Sequence, residues 1–170
     1  LLEPFLHTWS LAVEEQFYIL FPIFLVLTFR FIKQYIFFII VVVFFISFLM
    51  ANLWVYDYPQ STFYLLPTRV WELMAGSIIA YFELKNKKPL VIGILNKTMP
   101  ILGFLLITFA IVFTPDTTPH PSFYTLPPII GTCLVIWFAK KKDWVTDLLS
   151  SNIFVGIGLV SYSLYLWHYP

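Results

Sequence analysis

Four residues near the start of the chain pose the first chemical question. His7, Ser10, Glu14 and Tyr18 recur at spacings of three and four, so a helix lines them up as one polar stripe. An imidazole, a carboxylate and two hydroxyls on one face can move a proton and steady a developing oxyanion. Glu15 points about 100° away from Glu14 on the same wheel. One carboxylate can therefore turn to a bundle interior while the other turns to headgroups or a neighbour. A second group, Arg69 and Glu72, has the spacing of an ion pair across one helical turn. Arg69 can also reach a carboxylate on another segment or hold an anionic part of a substrate. Gly76 and Ala80 continue a small-residue face on which a further helix can approach. The third group, Ser161, Tyr165 and His168, again falls on one face, and an imidazole near neutral pKa can act as base or donor. Each group also has a purely structural account: an acidic helix start at the positive dipole end, an ordinary ion pair, and interfacial aromatic anchors. His120, in a Pro-His-Pro turn, reads as solvated.

The elements that must position these groups follow from composition. Of 170 residues, 60% are apolar and only 11% charged, against roughly 25% charged in soluble domains. Such a chain cannot cover a globule in water, so lipid must solvate much of it. A crossing helix needs about 20 mostly apolar residues, and six stretches qualify: 11–31, 35–56, 63–82, 99–114, 125–139 and 153–168. The last three are short, so their helices are expected to extend into their flanks. Pro127-Pro128 suits a helix start. The expected fold is all-α, a polytopic transmembrane bundle of about six spanning helices. Alternation of the kind a lipid-embedded barrel needs is absent.

Charge orients the bundle. Nine of the ten basic residues fall in alternate connections: Arg30 and Lys33; Lys85, Lys87, Lys88 and Lys97; Lys140, Lys141 and Lys142. The tenth is Arg69, inside a segment. The intervening connections hold Asp57, Asp116 and His120 but no lysine or arginine. By the positive-inside rule the basic connections are cytoplasmic and the others face outward. All three polar groups then approach the outer face. Ionisable groups within spans cost several kcal/mol unless paired, hydrated or near an end, so their convergence there argues for function.

Other classes find little support. A net charge of +1 leaves no electrostatic footprint for nucleic acid. The single Cys133 excludes an internal disulfide or a thiolate zinc site and reads as a small buried apolar side chain. Asn96-Lys97-Thr98 matches a glycosylation sequon on the cytoplasmic side, and Gly156-Ile157-Gly158 lacks the spacing and preceding strand of a nucleotide fingerprint. Leu1 is not an initiator methionine and the chain stops at Pro170 without a polar tail, so it is expected to be the middle-to-late part of a longer membrane protein. A transporter or flippase for a lipid-linked glycan or small anionic substrate also places paired charges inside a bundle. That alternative stands beside an enzyme, as does a noncatalytic membrane scaffold.

Three motifs add a resemblance. Residues 4–18, Pro-Phe-Leu-His-Thr-Trp-Ser-Leu-Ala-Val-Glu-Glu-Gln-Phe-Tyr, followed by Phe21-Pro22, resemble the signature of the acyltransferase-3 family of bacterial integral membrane O-acyltransferases. Leu65-Leu66-Pro67-Thr68-Arg69-Val70-Trp71-Glu72-Leu73 with Gly76 is similar to a later motif of that family. Residues 161–170, Ser-Tyr-Ser-Leu-Tyr-Leu-Trp-His-Tyr-Pro, resemble the motif before its final membrane helices. The resemblance implies that residues 1–170 are a partial acyltransferase-3 transmembrane domain, cut at both ends, in the bacterial cytoplasmic (inner) membrane. It implies transfer of an acyl group, usually acetyl, from cytoplasmic acyl-CoA to a hydroxyl of an extracytoplasmic glycan such as lipopolysaccharide O-antigen, peptidoglycan or exopolysaccharide. The family's N-terminal helix, with an arginine eleven positions before a catalytic histidine, has no counterpart in these 170 residues, so the fragment alone is expected to be inactive. A fused or separate periplasmic esterase-like domain is a further expectation. No bound cofactor or metal is expected; acyl-CoA is a substrate. Glu14, His7 and His168 are the expected catalytic residues, with Arg69, Glu72, Tyr18 and Ser10 on the substrate.

Overall fold

The computed structural model describes residues 9–85, 95–115, 117–138 and 143–167. Among the described residues all regular structure is helical. α1 (Trp9–Ile32), about 36 Å long, breaks at Ile32, whose φ of −144° and ψ of 39° leave the helical region. A single 3-10 turn, Lys33–Tyr35, leads into α2 (Ile36–Trp54). The stretch Val13–Trp54, which contains this break, and the later Leu95–Phe113 are long and apolar enough to cross a membrane by length and composition.

The expected third span is two helices. α3 (Pro59–Tyr64) ends at an extended Leu65, and α4 (Leu66–Lys85) restarts immediately. Pro67 is the reason: it has no N–H to continue the preceding helix, yet it is tolerated within the first turn of a new one. α5 (Leu95–Phe113) does extend into its flank, as expected. α6 (Leu126–Phe138) starts at the proline pair but is described for only 13 residues, about 20 Å. A short α7 (Trp144–Leu149), which the apolar pattern does not foretell, precedes α8 (Asn152–Trp167).

Two antiparallel helix pairs carry the packing. In the first, α2 lies along α4: Phe37 stacks on Tyr81 at one end, and Phe48 meets Trp71 edge to face towards the other. α1 joins them through a core of Phe17, Ile36, Ile40 and Met74. In the second pair, α5 and α6 touch backbone to backbone. A Cβ on Gly103 would lie 2.6 Å from the Gly131 carbonyl oxygen, and a Cβ on Gly131 the same distance from that of Gly103. Only glycine permits that approach. The expected small-residue face of α4 is not used this way among the described residues, none of which lies within 4 Å of a Cβ built on Gly76, and Ala80 is exposed. Phe82 against Trp137 and Phe48 against Phe123 tie the pairs together at their two ends. Outward faces are apolar, with Phe31 72% and Leu159 79% exposed. α8 contributes no buried side chain.

Candidate active site at the end opposite the basic residues

The bundle has two chemically different ends. Arg30, Lys33 and Gln34 share a cleft with Tyr81, and the Lys85 ammonium sits 5.8 Å from the Tyr81 ring centre. This basic end holds the last turns of α1 and α4. Because α1 is helical from Trp9, Glu14 lies about 24 Å along it from Arg30, towards the opposite end. That opposite end also holds α3, the first turn of α4 and the connection 114–125.

There the sequence organises a charged turn. Arg69 donates from Nη2 to Glu72 Oε2 at 3.0 Å, so the i, i+3 pair forms. Its guanidinium also lies 5.6 Å from the Phe63 ring centre on α3, a cation–π contact that survives poor hydration. Both charged side chains are about a fifth to a quarter exposed. They are sheltered enough to interact strongly and open enough to meet a solute.

The backbone beneath this pair is pinned from two sides. Ser47 Oγ, on α2, donates to the Pro67 carbonyl at 2.5 Å and accepts from the Trp71 N–H at 3.1 Å. Pro67 and Trp71 are i, i+4 partners, so one hydroxyl from a neighbouring helix spans the turn that carries Arg69. Thr68 Oγ1 donates to the Thr62 and Leu65 carbonyls at 2.6 and 2.8 Å, binding the end of α3 to the start of α4. Trp71 is wholly buried against Phe44 and Phe48, and its Nε1 finds no acceptor among the described residues. Ser47, Thr68 and Trp71 escape a reading that looks for titratable groups. The available signal was that Ser47 and Asn52 are the two polar residues in the 19 of α2, and an apolar helix keeps such residues for partners.

The first motif fares differently. The inward face of α1 is an apolar row through Val13 and Phe17 that ends in buried Thr28. Glu14 flanks this row and is half-buried; Glu15 is exposed. The polar stripe thus lies beside the packed face, and its Tyr18 is 63% exposed. Ser10 lies in the first turn of α1. His7 and His168 fall outside the described residues. Ser161 and Tyr165 lie on α8, where the Ser161 hydroxyl donates to its own helix at Gly158 O, 2.7 Å. The structure therefore places the Glu14 part of the first polar group and the whole of the second towards one end of the bundle. The Ser161 hydroxyl of the third is spent on its own helix. His120, expected in solvent, is half-buried.

The described residues are thus all-helical, with two apolar stretches long enough to cross a membrane by length and composition and an ion pair at one end. The model of the acyltransferase-3 family, described as an acyltransferase domain, matches residues 1–170. The chain belongs to that family. A protein of Staphylococcus aureus (strain COL), provisionally named an O-acetyltransferase, is 34% identical over 98% of this chain. The O-acetyltransferase OatA of S. aureus (strain NCTC 8325 / PS 47) is 32% identical over 99% of it. The peptidoglycan O-acetyltransferase OatA of Listeria monocytogenes is 27% identical over 98%. The chain spans 28 to 30% of the length of these relatives. No solved structure matches it.

Proposed function

We propose that this chain is the part of a bacterial membrane O-acetyltransferase that receives the glycan acceptor. Acetyl passes from acyl-CoA on the cytoplasmic side to a hydroxyl of a cell-surface glycan on the other, with peptidoglycan the favoured acceptor. The family match over the whole chain carries the reading, and the name of the Listeria relative supports the choice of acceptor. The positive-inside rule makes the basic end cytoplasmic and the Arg69–Glu72 end outer. The two apolar stretches fit a membrane location, and completion of a six-span bundle belongs to this proposal.

The chemistry sets the roles. A glycan hydroxyl attacks the thioester carbonyl, its proton leaves to a base, and the coenzyme A thiolate departs and is reprotonated. Glu14 orients or polarises the base, and His7 and His168 line the acceptor side with Ser10 and Tyr18. Arg69, held in place by Glu72, Phe63 and the Ser47 bridge, steadies negative charge at the reacting carbonyl or orders Glu14. Donors aimed at such charge in a water-poor site are worth about 10²–10³ in rate each.

In the full-length protein, Arg69→Ala is expected to lower glycan acetylation at least 100-fold while membrane abundance holds. Base-labile acetate released from purified peptidoglycan measures it. Normal ester content in both Arg69→Ala and Glu14→Ala would sink the site. Glycan movement across the membrane without any new ester would return the transporter.

A further inference from the structure

The connection between α5 and α6 is a folded wall. Ser122, 2% exposed, donates to the Pro119 carbonyl at 2.6 Å and accepts from the Tyr124 N–H at 3.3 Å. Thr125 returns a hydroxyl to the Ser122 carbonyl at 2.6 Å, and the Phe123 N–H is held by Asn52 Oδ1 of α2 at 2.8 Å. Against this wall lie two clefts of about 660 and 400 Å³, within the range of small-molecule sites. They share Ala110, Thr114, Pro115 and Tyr124, so they adjoin along one groove-like surface that Tyr124 lines on both sides.

The lining is aromatic and hydroxylic. Tyr56, Phe113, Phe123 and Tyr124, each more than half exposed, bring ring faces; Thr114 and Thr118 bring hydroxyls. Among the described lining residues none is Lys, Arg, Asp or Glu. Ring faces and hydroxyls, with His120 in the smaller cleft, match a pyranose, which has apolar C–H faces and a polar hydroxyl rim. Two adjoining clefts suit a chain of sugars better than a compact solute. Ring packing ties the groove's wall to the helix of the charged turn: Phe123 meets Phe48 at 5.2 Å, and Phe48 meets the buried Trp71 of α4 at 4.9 Å. Interfacial anchoring explains aromatic rings at a membrane surface, but not a concave, hydroxyl-lined groove fastened to α2.

We infer that this groove holds consecutive sugar rings of the glycan acceptor, on the same side of the bundle as the Arg69–Glu72 turn. The inference rests on the acetyltransferase reading for its occupant, and binding tests it separately from catalysis. Full-length protein in lipid nanodiscs is titrated with fluorescently labelled, lipid-free peptidoglycan glycan strands. Tyr124→Ala and Tyr56→Ala are each expected to weaken strand binding at least tenfold, with Tyr124→Trp close to wild type. With acetyl-CoA present, Tyr124→Ala should raise KM for strands by a similar factor and leave kcat within about twofold. Equal binding by wild type and Tyr124→Ala would overturn the groove, as would a Tyr124→Ala defect confined to thermal stability in the nanodisc. Absence of acetyl transfer by a wild type that binds strands through Tyr124 would overturn the acetyltransferase reading and leave the groove standing.

Discussion

The two helix pairs solve the same packing problem by opposite means. α5 and α6 close on each other through Gly103 and Gly131, with each backbone in the space a side chain would need. α2 and α4 instead pack through Phe44, Phe48 and Trp71, stitched by the Ser47 hydroxyl. The first arrangement rests on backbone contact at two glycines. The second spends two polar residues of an apolar helix on holding parts in place: Ser47 the turn beneath Arg69, Asn52 the wall of the groove. In lipid, where apolar burial gives no preference for one helix over another, close packing and hydrogen bonds are what fix a partner.

The two pairs differ most in what they tolerate at the glycines. Gly131→Leu is expected to cost about 3 kcal/mol or more, since overpacking costs 1–3 where side chains can yield and here the obstacle is backbone. Full-length protein should fall out of the monodisperse peak in detergent chromatography; a well-folded variant would show that the contact is loose. Next in size is Glu72→Ala, which removes the Glu72 carboxylate from Arg69 while Phe63 still lies beneath it. Acetylation should fall on the order of 30-fold, and Glu72→Gln should recover part of it, because a hydrogen-bond acceptor costs less to lose in part than entirely. Retained activity in both would reduce the pair to a structural role.

Ser47→Ala removes a hydroxyl that satisfies a carbonyl and an N–H together. A loss of about 1–2 kcal/mol follows from two groups left to each other or to nothing, and kcat should fall with it because the Arg69 turn loosens. A thermal scan with parallel turnover measurement separates stability from rate. Asn52→Leu should cost about 1 kcal/mol and affect strand binding more than kcat, since its bond holds the groove wall. The smallest effect is expected at Gly76. With open space around it, Gly76→Ala should be neutral or stabilising by about 0.5–1 kcal/mol, the ordinary helix preference for alanine over glycine. A large loss there would show a neighbour that packs against α4.

How much of this was legible in the residues depends on the kind of signal. The Arg69–Glu72 pair follows from spacing alone, because three residues in a helix fix a geometry that no distant contact need supply. The half-buried Glu14 beside an exposed Glu15 follows from the same periodicity. The break at Leu65 was written in Pro67 but hidden by the apolar run around it. Which glycine meets a neighbour was not legible: Gly76, Gly103 and Gly131 all sit in apolar helices with similar surroundings in sequence. The groove was not legible either, since its two walls come from Tyr56 and from residues more than 50 positions later.

Helical structure, a strongly apolar surface and different charge at the two ends of the bundle were set by the residues alone. Those properties sum over local residues, and hydropathy and helical spacing are local. Only the tertiary structure decided that Ser47 bridges Pro67 and Trp71, that Gly103 and Gly131 are the close approach, and that Asn52 fastens a wall beside Tyr124. Each of these depends on which helix lies against which, and helices of nearly uniform apolar surface leave that choice to a few specific contacts between residues distant in the chain.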